Sequence, residues 1–394
     1  MSSLRVGVIG LGRVSGKILD VFALVDGVDL AGAADMRAAA REAFTARFHL
    51  PAYETAEALC ASRDIDAVWV ATPNPHHRDH VIAAARAGKH VICEKPMATT
   101  LAECDEMIAA ADVARTQILM VSKILEAPIR AIRRIVDSGR IGAVFQINTM
   151  VFTDWLQRPR LADELRTELG GGILFRQAPH AVDIQRFIVG LPVSSVRAVT
   201  GRRDQNFATE GHFSALLAFE NGVAGTMSLN GYGYFDGAEL TYGVGESGQR
   251  RSLNVTRKVR PRRTSPMSDK EKYQMQTAVS AQSRDNAVSY AQPFYGLTVV
   301  SGDRGVIRQS ETGLLVYDAN GCEELSFPVD SRCAAELIEL RDAIGAKRPV
   351  FPDGRWGRDT LNIANAMLRS SSEKREVLLS TPETTVAYLE KIHR

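Results

Sequence analysis

The sequence predicts a two-domain chain, α/β followed by α+β, with an N-terminal doubly wound parallel sheet and a C-terminal open, mostly antiparallel sheet. Two observations lead to this prediction. Through about residue 123, short apolar runs alternate with helical patterns, as in βαβ units. After about residue 140, strand-like segments follow one another and are often separated by turn dipeptides, which favours antiparallel pairing. The predicted domains are residues 1–123 and 124–394.

The first domain opens on a buried strand and a helix. LRVGVIG (4–10) is a nearly continuous apolar run. Residues 14–25 then carry apolar side chains at helical spacing and end at Asp26-Gly27, a typical stop signal. Further strand-like runs alternate with helical segments at 29–35, 67–72, 90–96 and 117–123.

The second domain is predicted from its turns. Asn221-Gly222 separates two strand-like segments and is a strong hairpin signal, and Asn320-Gly321 is a similar turn. Helices are expected near 173–189, 331–346 and 357–370. We expect the helices near 331–370 to pack back on the first domain.

Composition excludes several classes of protein. The 48 basic and 46 acidic side chains leave a net charge of +2, which gives no reason to expect a nucleic-acid or membrane partner. Five scattered cysteines without a CxxC spacing favour a reducing compartment. No signal peptide is recognised, and no run approaches the roughly 18 apolar residues of a membrane span. The expected location is the cytoplasm.

One strongly basic segment stands apart from this balance. Residues 250–263, RRSLNVTRKVRPRR, contain seven Arg or Lys and no acid. The segment is either an anion-binding or nucleic-acid patch, or a solvated loop or oligomer contact. The lack of aromatic residues between the basic ones favours the loop or contact.

A glycine-rich turn, GLGRVS, joins the first strand to the first helix. Gly10 permits the tight turn, and Gly12 permits the backbone to approach a pyrophosphate. Ser15 replaces the third glycine and is small enough for close helix–strand packing. Arg13 and Val14 belong to the same turn, where a helix N-terminus offers free N–H groups to phosphates. The pattern predicts a dinucleotide-binding Rossmann domain.

Two charged residues at the end of the second strand bear on the choice of cofactor. The carboxylate of Asp35 is suited to the adenosine ribose hydroxyls and would repel a 2′-phosphate. Arg37 stands two residues later and would instead attract that phosphate. The pattern favours NAD, with NADP as the alternative.

A lysine follows the strand near 90–96, in Glu94-Lys95-Pro96. Ligands of an open parallel sheet bind at the carboxyl ends of its strands, so Lys95 would lie where a nicotinamide lies. An amine there is a plausible proton donor and acceptor for an alcohol that undergoes hydride transfer. From the residues alone, a surface lysine before a loop is equally compatible.

The stretch VWVATPNPHHRDHVIAAARAGKHVICEKPMATT resembles the signature of the Gfo/Idh/MocA family, named for glucose–fructose oxidoreductase and inositol dehydrogenase. The resemblance implies an oxidoreductase in which Lys95 is the catalytic acid–base and touches the nicotinamide ribose. It also implies no metal, although His76, His77 and His80 lie close together in sequence. The cofactor-binding residues that match are Thr72, Pro73, Asn74, His77, Glu94 and Lys95.

The second family signature, GGGxLxDxGxH, is similar to GGGILFRQAPHAVD (170–183). The match implies that His180 is the second catalytic residue, and that Asp183 orients nearby groups. The family aspartate is replaced by Arg176, which on one continuous helix would share a face with His180.

Arginine at this position changes the expected chemistry. A guanidinium beside His180 would keep the imidazole neutral, and its planar fork suits a carboxylate. We therefore expect an anionic small-molecule substrate. The alternative is that Arg176 pairs structurally with Asp183 or Glu168 and does not meet substrate.

Two stretches, 153–177 and 295–317, resemble phthalate 4,5-cis-dihydrodiol dehydrogenases and related carboxylated chlorobenzoate dihydrodiol dehydrogenases. The resemblance implies oxidation of a carboxylated cis-dihydrodiol to a catechol with NAD(P)⁺, a reaction of CH–OH or CH–CH groups. VSKILEAP (121–128) departs from the pattern, so Lys123 and Glu126 would face a different substrate. The added residues that would contact substrate or serve a second carboxylate are Trp155, Arg158, Arg160, Arg304 and Arg308, although these arginines fit sheet-surface charges equally well.

Two other functions remain open from the sequence. One is a sugar or cyclitol dehydrogenase of the same family, and the other is a nucleotide-sensing regulator without turnover. The presence of both Lys95 and His180 disfavours the regulator. The resemblance also implies a homodimer or homotetramer formed through the C-terminal sheet.

Overall fold

The computed structural model describes residues 3–12, 14–246, 248–252, 254, 265–268, 271, 291–329 and 334–380. They form two compact units, which divide between Ser122 and Lys123. The first unit also contains residues 334–361, and residues 362–380 belong to the second. Most of the basic segment 250–263 lies outside the described residues.

The strands of the described residues are numbered along the chain. They are β1 (Leu4–Ile9), β2 (Val28–Ala34), β3 (Ala52–Tyr53), β4 (Ala67–Val70), β5 (His90–Cys93), β6 (Ile118–Met120), β7 (Val144–Phe152), β8 (Val193–Gly201), β9 (His212–Phe219), β10 (Ala224–Asn230), β11 (Leu297–Gly302), β12 (Gly305–Gln309), β13 (Gly313–Asp318), β14 (Gly321–Ser326) and β15 (Val377–Leu378).

The α-helices of the described residues are numbered in the same way, and none of them is long and apolar enough to cross a membrane. They are α1 (Ser15–Ile18), α2 (Ala38–Phe48), α3 (Ala56–Cys60), α4 (His77–Arg86), α5 (Leu101–Ala114), α6 (Ala127–Asp137), α7 (Gly172–Arg176), α8 (Ala178–Val189), α9 (Ala334–Gly345) and α10 (Gly354–Glu373).

The first unit is built on a six-stranded parallel sheet. Its strand order is β3-β2-β1-β4-β5-β6, so the chain order reverses between β1 and β4. Ligands of doubly wound sheets bind outside the carboxyl ends of the strands at such a reversal. The turns that follow β1 and β4 therefore lie where a dinucleotide is expected.

The predicted helix over residues 14–25 is interrupted. Helix α1 is a single turn, and Phe22–Leu24 form a separate 3-10 turn. Val14 precedes α1 without a side-chain capping bond, and Gly16 lies in its first turn. The segment consequently has little local support for a longer helix.

The core of the first unit includes a helix from the far end of the sequence. Apolar residues of β1, including Val6 and Val8, are buried together with Leu337 and Leu340 of α9. Glu336 and Glu339 of the same helix are also buried, so its buried surface is not purely apolar. Residues 334–361 consequently belong with the first unit rather than with residues 124–394 as one domain.

The second unit is built on a nine-stranded sheet of order β14-β13-β12-β11-β7-β10-β9-β8-β15. The β7–β10 pair is parallel, and the other pairs are antiparallel. The predicted hairpin joins β9 to β10, with Gly222 at φ +83° and the Asn221 side chain accepting from the Val223 N–H at 3.2 Å. The predicted fold class is confirmed for both sheets.

Apart from the partly exposed His180, helix α8 is buried against this sheet and α6. Its Gln185 amide donates to the Thr149 hydroxyl at 3.2 Å and to the Thr226 carbonyl at 2.8 Å, both on strands. Arg133 of α6 donates to the Ile188 carbonyl at 2.8 Å, near the C-terminal end of α8. These bonds satisfy polar groups that burial would otherwise leave without partners.

Serine hydroxyls complete one edge of the large sheet. Strand β15 covers only part of β8. Beyond it, Ser370 of α10 accepts from the Ala198 N–H at 2.9 Å, and Ser371 accepts from the Thr200 N–H at 2.9 Å. Ser370 also donates to the Arg375 carbonyl at 2.6 Å. Side chains of α10 thus replace the missing strand for these edge donors.

We expect Ser370→Ala to lower the free energy of unfolding by about 1–3 kcal/mol, because the buried Ala198 N–H loses its partner. Ser372→Ala is the matched control, since Ser372 is exposed on the same helix and bonds only to the Arg369 carbonyl among described contacts. Both changes gain the same helix propensity. Equal stabilities of the two variants in urea unfolding would refute the role of Ser370.

Candidate active site

The two glycines of the GLGRVS turn meet different constraints. Gly10 has φ +95°, and a Cβ there would lie 2.8 Å from Cγ2 of Thr72. A Cβ at Gly12 would meet no described atom within 4 Å. Gly10 is therefore required by the backbone itself, whereas Gly12 borders open space that a pyrophosphate can enter. Val14 is partly exposed beside it, and Arg13 lies outside the described residues.

Asp35 holds Arg37 at the end of β2. The Arg37 guanidinium donates to both carboxylate oxygens, at 2.9 and 2.8 Å, and to the Leu11 carbonyl at 3.0 Å. The Leu11 N–H also donates to Asp35, at 2.8 Å. Burial raises the pKa of Asp35, but the bonds from Arg37 and Leu11 outweigh it and lower that pKa below its ordinary value. The ionised carboxylate lies beside the glycine turn, where it favours NAD.

His77 connects the two signature segments of the first unit. Its buried ring contacts the Thr72 carbonyl at 2.9 Å and the Pro96 carbonyl at 3.0 Å. Pro73 and Asn74, which come directly after Thr72, begin the 3-10 turn that precedes α4. His77 thus has a structural role, which is to hold the segment after β4 against the segment after β5.

Glu94 and Lys95 follow β5 at the carboxyl edge of the sheet. The Glu94 N–H donates to the Val70 carbonyl at 3.1 Å, which continues the pairing of β5 with β4. Both side chains are partly exposed, and the Lys95–Pro96 peptide is cis. Lys95 therefore lies at the edge where parallel sheets bind their ligands. Within the described residues, His76, His77 and His80 do not belong to any group of three or more metal-ligating side chains.

Close packing explains the glycines that precede α7. A Cβ at Gly171 would lie 2.6 Å from the carbonyl oxygens of Arg166 and Glu164. Gly172 has φ +77°, and its Cβ would lie 2.5 Å from the Glu210 carboxylate. Glu210 in turn accepts from the Leu174 N–H at 3.0 Å. The glycines allow a carboxylate to satisfy the first turn of α7.

The predicted continuous helix near 173–189 is broken at Gln177, whose ψ of −44° accompanies a φ of −124°. Pro179 explains the break, because it has no N–H to donate to Phe175 and its ring would clash with that carbonyl. The expectation that Arg176 and His180 share one regular helix face is therefore wrong. Among residues 171–190, however, Arg176 and His180 are the two that are not buried.

Arg176 pairs with an acid that the sequence did not single out. It donates to Glu164 at 3.2 Å. Arg160 also lies 3.5 Å from the same Glu164 oxygen. One carboxylate is thus shared by two guanidinium groups.

Trp155 and Asp183 are buried, which argues against direct contact with a substrate. The Trp155 ring is 1% exposed and packs under the Arg160 guanidinium, at 4.4 Å from its centroid. Asp183 lies 3.8 Å from Arg186 on the next turn of α8. The Trp155 ring and the Asp183 carboxylate therefore help to position the guanidinium groups of Arg160 and Arg186, respectively.

Arg158 belongs to a charged network around a small cavity of about 50 Å³, which is room for a few water molecules. It donates to Asp154 at 2.7 Å, to Glu246 at 2.8 Å and to the Thr153 hydroxyl at 2.9 Å. The other residues that line this cavity include Asp236, Arg251, Phe294 and Tyr295.

Lys123 and Glu126 pair with each other, and the Lys123 ammonium also donates to the Glu246 carbonyl at 3.1 Å. The expectation that these two side chains face a substrate therefore gives way to a structural pairing. Arg304 and Arg308 likewise have protein partners, the Gly139 carbonyl at 2.8 Å and the Tyr242 hydroxyl at 2.7 Å.

The charge around His180 differs from the expectation based on Arg176 alone. Arg176 is paired with Glu164, and Glu246 interacts electrostatically with His180. Burial raises the pKa of Glu246, but the charges of Arg158, Lys123 and His180 lower it well below its usual range. Glu246 is thus a second charge near the imidazole, so the charge around His180 is not set by Arg176 alone.

Sequence reasoning missed Glu164, Glu246 and Tyr295. Glu164 stands in the stretch that precedes the glycine triplet, but four acids there were equally eligible partners. Glu246 and Tyr295 come from distant segments and carry no local motif. Tyr295 contacts the His180 ring edge-on, with centroids 4.8 Å apart.

Two family models match this chain. Residues 4–122 match an oxidoreductase family with an NAD-binding Rossmann fold, and residues 129–242 match the Gfo/Idh/MocA C-terminal domain. The chain belongs to the Gfo/Idh/MocA oxidoreductase family. It is an NAD-dependent oxidoreductase, and the open space at Gly12 and the carboxylate of Asp35 fit this cofactor.

Named relatives agree with the family. The chain is 33% identical to 1-carboxy-3-chloro-3,4-dihydroxycyclohexa-1,5-diene dehydrogenase of Comamonas testosteroni, over 98% of both chains. It is 30% identical to inositol 2-dehydrogenase 2 of Saccharopolyspora erythraea, over 62% of this chain and 72% of the relative. Enzymes of this kind act on CH–OH groups.

Solved structures share the fold. A crystal structure of a Bordetella bronchiseptica RB50 protein assigned as a dehydrogenase is 30% identical, with a TM-score of 0.87 over 96% of this chain and all of that one. An Agrobacterium radiobacter oxidoreductase, solved with NAD⁺, L-tartaric acid and magnesium, is 19% identical. Its TM-score of 0.71, over 96% and 98% of the two chains, concerns the fold alone.

We expect Gly12→Ala to weaken NAD binding on the order of tenfold or more, because the new methyl group enters the space left for the pyrophosphate. Its melting temperature should stay within about 2 °C of the parent, since the methyl meets no described atom. Gly10→Ala is the contrasting variant, in which strain at φ +95° lowers stability itself. Calorimetric titration and thermal unfolding separate the two effects, and normal NAD affinity of Gly12→Ala would refute the assignment.

Proposed function

We propose that this enzyme oxidises a carboxylated cis-dihydrodiol to the corresponding catechol, with NAD as hydride acceptor. The observation that carries the proposal is the similarity, over 98% of both chains, to the Comamonas enzyme named for a carboxylated, chlorinated dihydroxycyclohexadiene. The inositol 2-dehydrogenase relative aligns over 62% of this chain. A cyclitol is therefore the second candidate substrate.

The charges of the second unit support an anionic substrate. Arg176 is one of the two residues of 171–190 that are not buried, and it shares the Glu164 carboxylate with Arg160. A substrate carboxylate complements the charge of Arg176, and a planar guanidinium can bind it through two N–H groups. We assign carboxylate binding to Arg176. Arg158, which pairs with Asp154 and Glu246, is the candidate for a second carboxylate.

Proton transfer is assigned to Lys95 and His180. As a neutral amine, Lys95 takes the hydroxyl proton while the hydride leaves the same carbon, and His180 hydrogen-bonds to the substrate and orients it. Bound NAD supplies the hydride acceptor. The hydroxy-ketone product then tautomerises to an aromatic catechol, which draws the reaction toward oxidation.

Self-association through the large sheet is part of the proposal. Met150 of β7, Val199 of β8 and Leu216 of β9 are 41%, 56% and 44% exposed. The strand registers place the three on one face of the sheet. Exposed apolar side chains on one face of a sheet are typical of an interface, which favours a homodimer or homotetramer.

We expect Lys95→Ala to lower kcat by about 10²–10⁴-fold, because the reaction loses its acid–base group. NAD binding should remain measurable, since the glycine turn and Asp35 are unchanged. Stopped-flow hydride transfer and NAD titration together test this expectation. Wild-type turnover by the variant would remove Lys95 from the proposed mechanism.

Arg176→Leu should raise the KM for a carboxylated cis-dihydrodiol by roughly 10–100-fold, because a charged hydrogen-bonding partner of the carboxylate is lost. Turnover of the corresponding uncarboxylated cis-diol should change little. The measurement is the initial rate of NADH formation with each diol.

Arg166→Leu is the matched control, because Arg166 lies in the same segment but is exposed and pairs with Glu168. It should leave both KM values unchanged. A panel that adds neutral cyclitols distinguishes the second candidate. Activity confined to the cyclitols would overturn the dihydrodiol proposal and the role of Arg176 with it.

A further inference from the structure

At the break between α7 and α8, the carbonyl of Gln177, the N-cap residue of α8, accepts from two donors, and one of them comes from outside the helix. The Tyr295 hydroxyl donates to it at 2.5 Å, and the His180 N–H donates to it at 3.2 Å. The same hydroxyl lies 3.3 Å from the Gln177 side-chain oxygen. Tyr295 therefore fixes the carbonyl group that accepts the hydrogen bond from the His180 backbone N–H.

The ring of Tyr295 also contacts the side chain of His180. The two ring centroids are 4.8 Å apart with an interplanar angle of 65°, an edge-to-face arrangement. Tyr295 is 3% exposed, whereas His180 is partly exposed. One buried side chain thus holds His180 at its backbone and at its imidazole while the imidazole stays accessible.

Tyr295 is itself held firmly by the sheet. It directly precedes Gly296, whose φ is +69° and whose Cβ would lie 2.3 Å from the Met150 carbonyl oxygen of β7. Three residues before Tyr295, the Gln292 amide donates to the Phe327 carbonyl at 2.8 Å and to the Pro328 carbonyl at 2.7 Å. The position of the tyrosine is therefore set by elements other than α7 and α8.

The hydroxyl of Tyr295 remains a donor. Burial raises the pKa of Tyr295 well above its ordinary value, and the nearby charge of Glu246 raises it further. The phenol is consequently protonated throughout the working range of the enzyme, and the bond to Gln177 does not depend on pH there.

We infer that Tyr295 is the positioning residue for His180, acting through the Gln177 carbonyl and through the edge contact between the two rings. The inference rests on the proposed function, because it takes His180 to be the second residue that meets the substrate. The orientation of His180 that an unbroken helix would otherwise supply is thus assigned to Tyr295, which is 118 positions from Gln177 in sequence.

The test compares Tyr295→Phe, which removes the hydroxyl and keeps the ring, with Tyr295→Leu, which removes both. Tyr232→Phe is the matched control, since its hydroxyl also contacts backbone groups, the Arg203 N–H at 2.8 Å and the Gly201 carbonyl at 3.4 Å. Each full-length variant is ¹³C-labelled at histidine, and the His180 ring resonance, assigned with His180→Gln, is recorded in the presence of NAD. Initial rates are measured with phthalate 4,5-cis-dihydrodiol, a carboxylated cis-dihydrodiol that carries hydrogen on both diol carbons.

We expect Tyr295→Phe to shift the His180 ring resonance and to lower kcat on the order of tenfold, with the NAD affinity and substrate KM within about twofold of the parent. Tyr295→Leu should have larger effects of the same kind, and Tyr232→Phe should have neither effect. Adding Tyr295→Phe to His180→Ala should cause no further loss of kcat.

An unchanged His180 resonance in Tyr295→Phe would overturn the inference, whatever His180 does in catalysis. A shifted resonance with full activity of His180→Ala would support the positioning role and would instead refute the proposed part of His180 in the reaction. A loss of thermal stability without a shifted resonance would show that Tyr295 is only structural, which also overturns the inference.

Discussion

Pro179 is the constraint on which the geometry of the second unit depends. Because it cannot donate to the Phe175 carbonyl, the chain ends one helix at Arg176 and starts another at Ala178. The break turns Arg176 and His180 out of an otherwise buried segment, so that both stay accessible. It also exposes the Gln177 carbonyl to a donor from outside the helix, which the Tyr295 hydroxyl provides. A single imino acid thereby links the orientation of two candidate site residues to the packing of the sheet.

Charge pairing is the second organising influence in this unit. Arg176 and Arg160 share Glu164, and Arg158 is held by Asp154 and Glu246. Cations that are partly removed from water need such partners, and the partners also restrict their rotamers. An arginine in place of the family aspartate is therefore accommodated by acids from neighbouring turns.

The first unit needs no comparable helix break, because the position of its site follows directly from strand order. Gly10 follows β1 and Thr72 follows β4, at the reversal in the sheet. The ring of His77 holds the segment after β4 to Pro96. Asp35 and Arg37 form a pair that leaves the carboxylate ionised at the end of β2. Each residue is placed by a local turn at the end of a strand, and such turns carry strong sequence signals.

The sequence by itself determined both sheets, the NAD site around Gly10 and Gly12, and the family signatures at Lys95 and His180. These features depend on periodicity and on short spacings, which a single chain displays directly. Only the tertiary structure decided that Arg176 pairs with Glu164 and that Tyr295 supports the break before His180. Several acids and aromatic residues were chemically equivalent candidates. The choice among them depends on long-range packing, which no local pattern encodes.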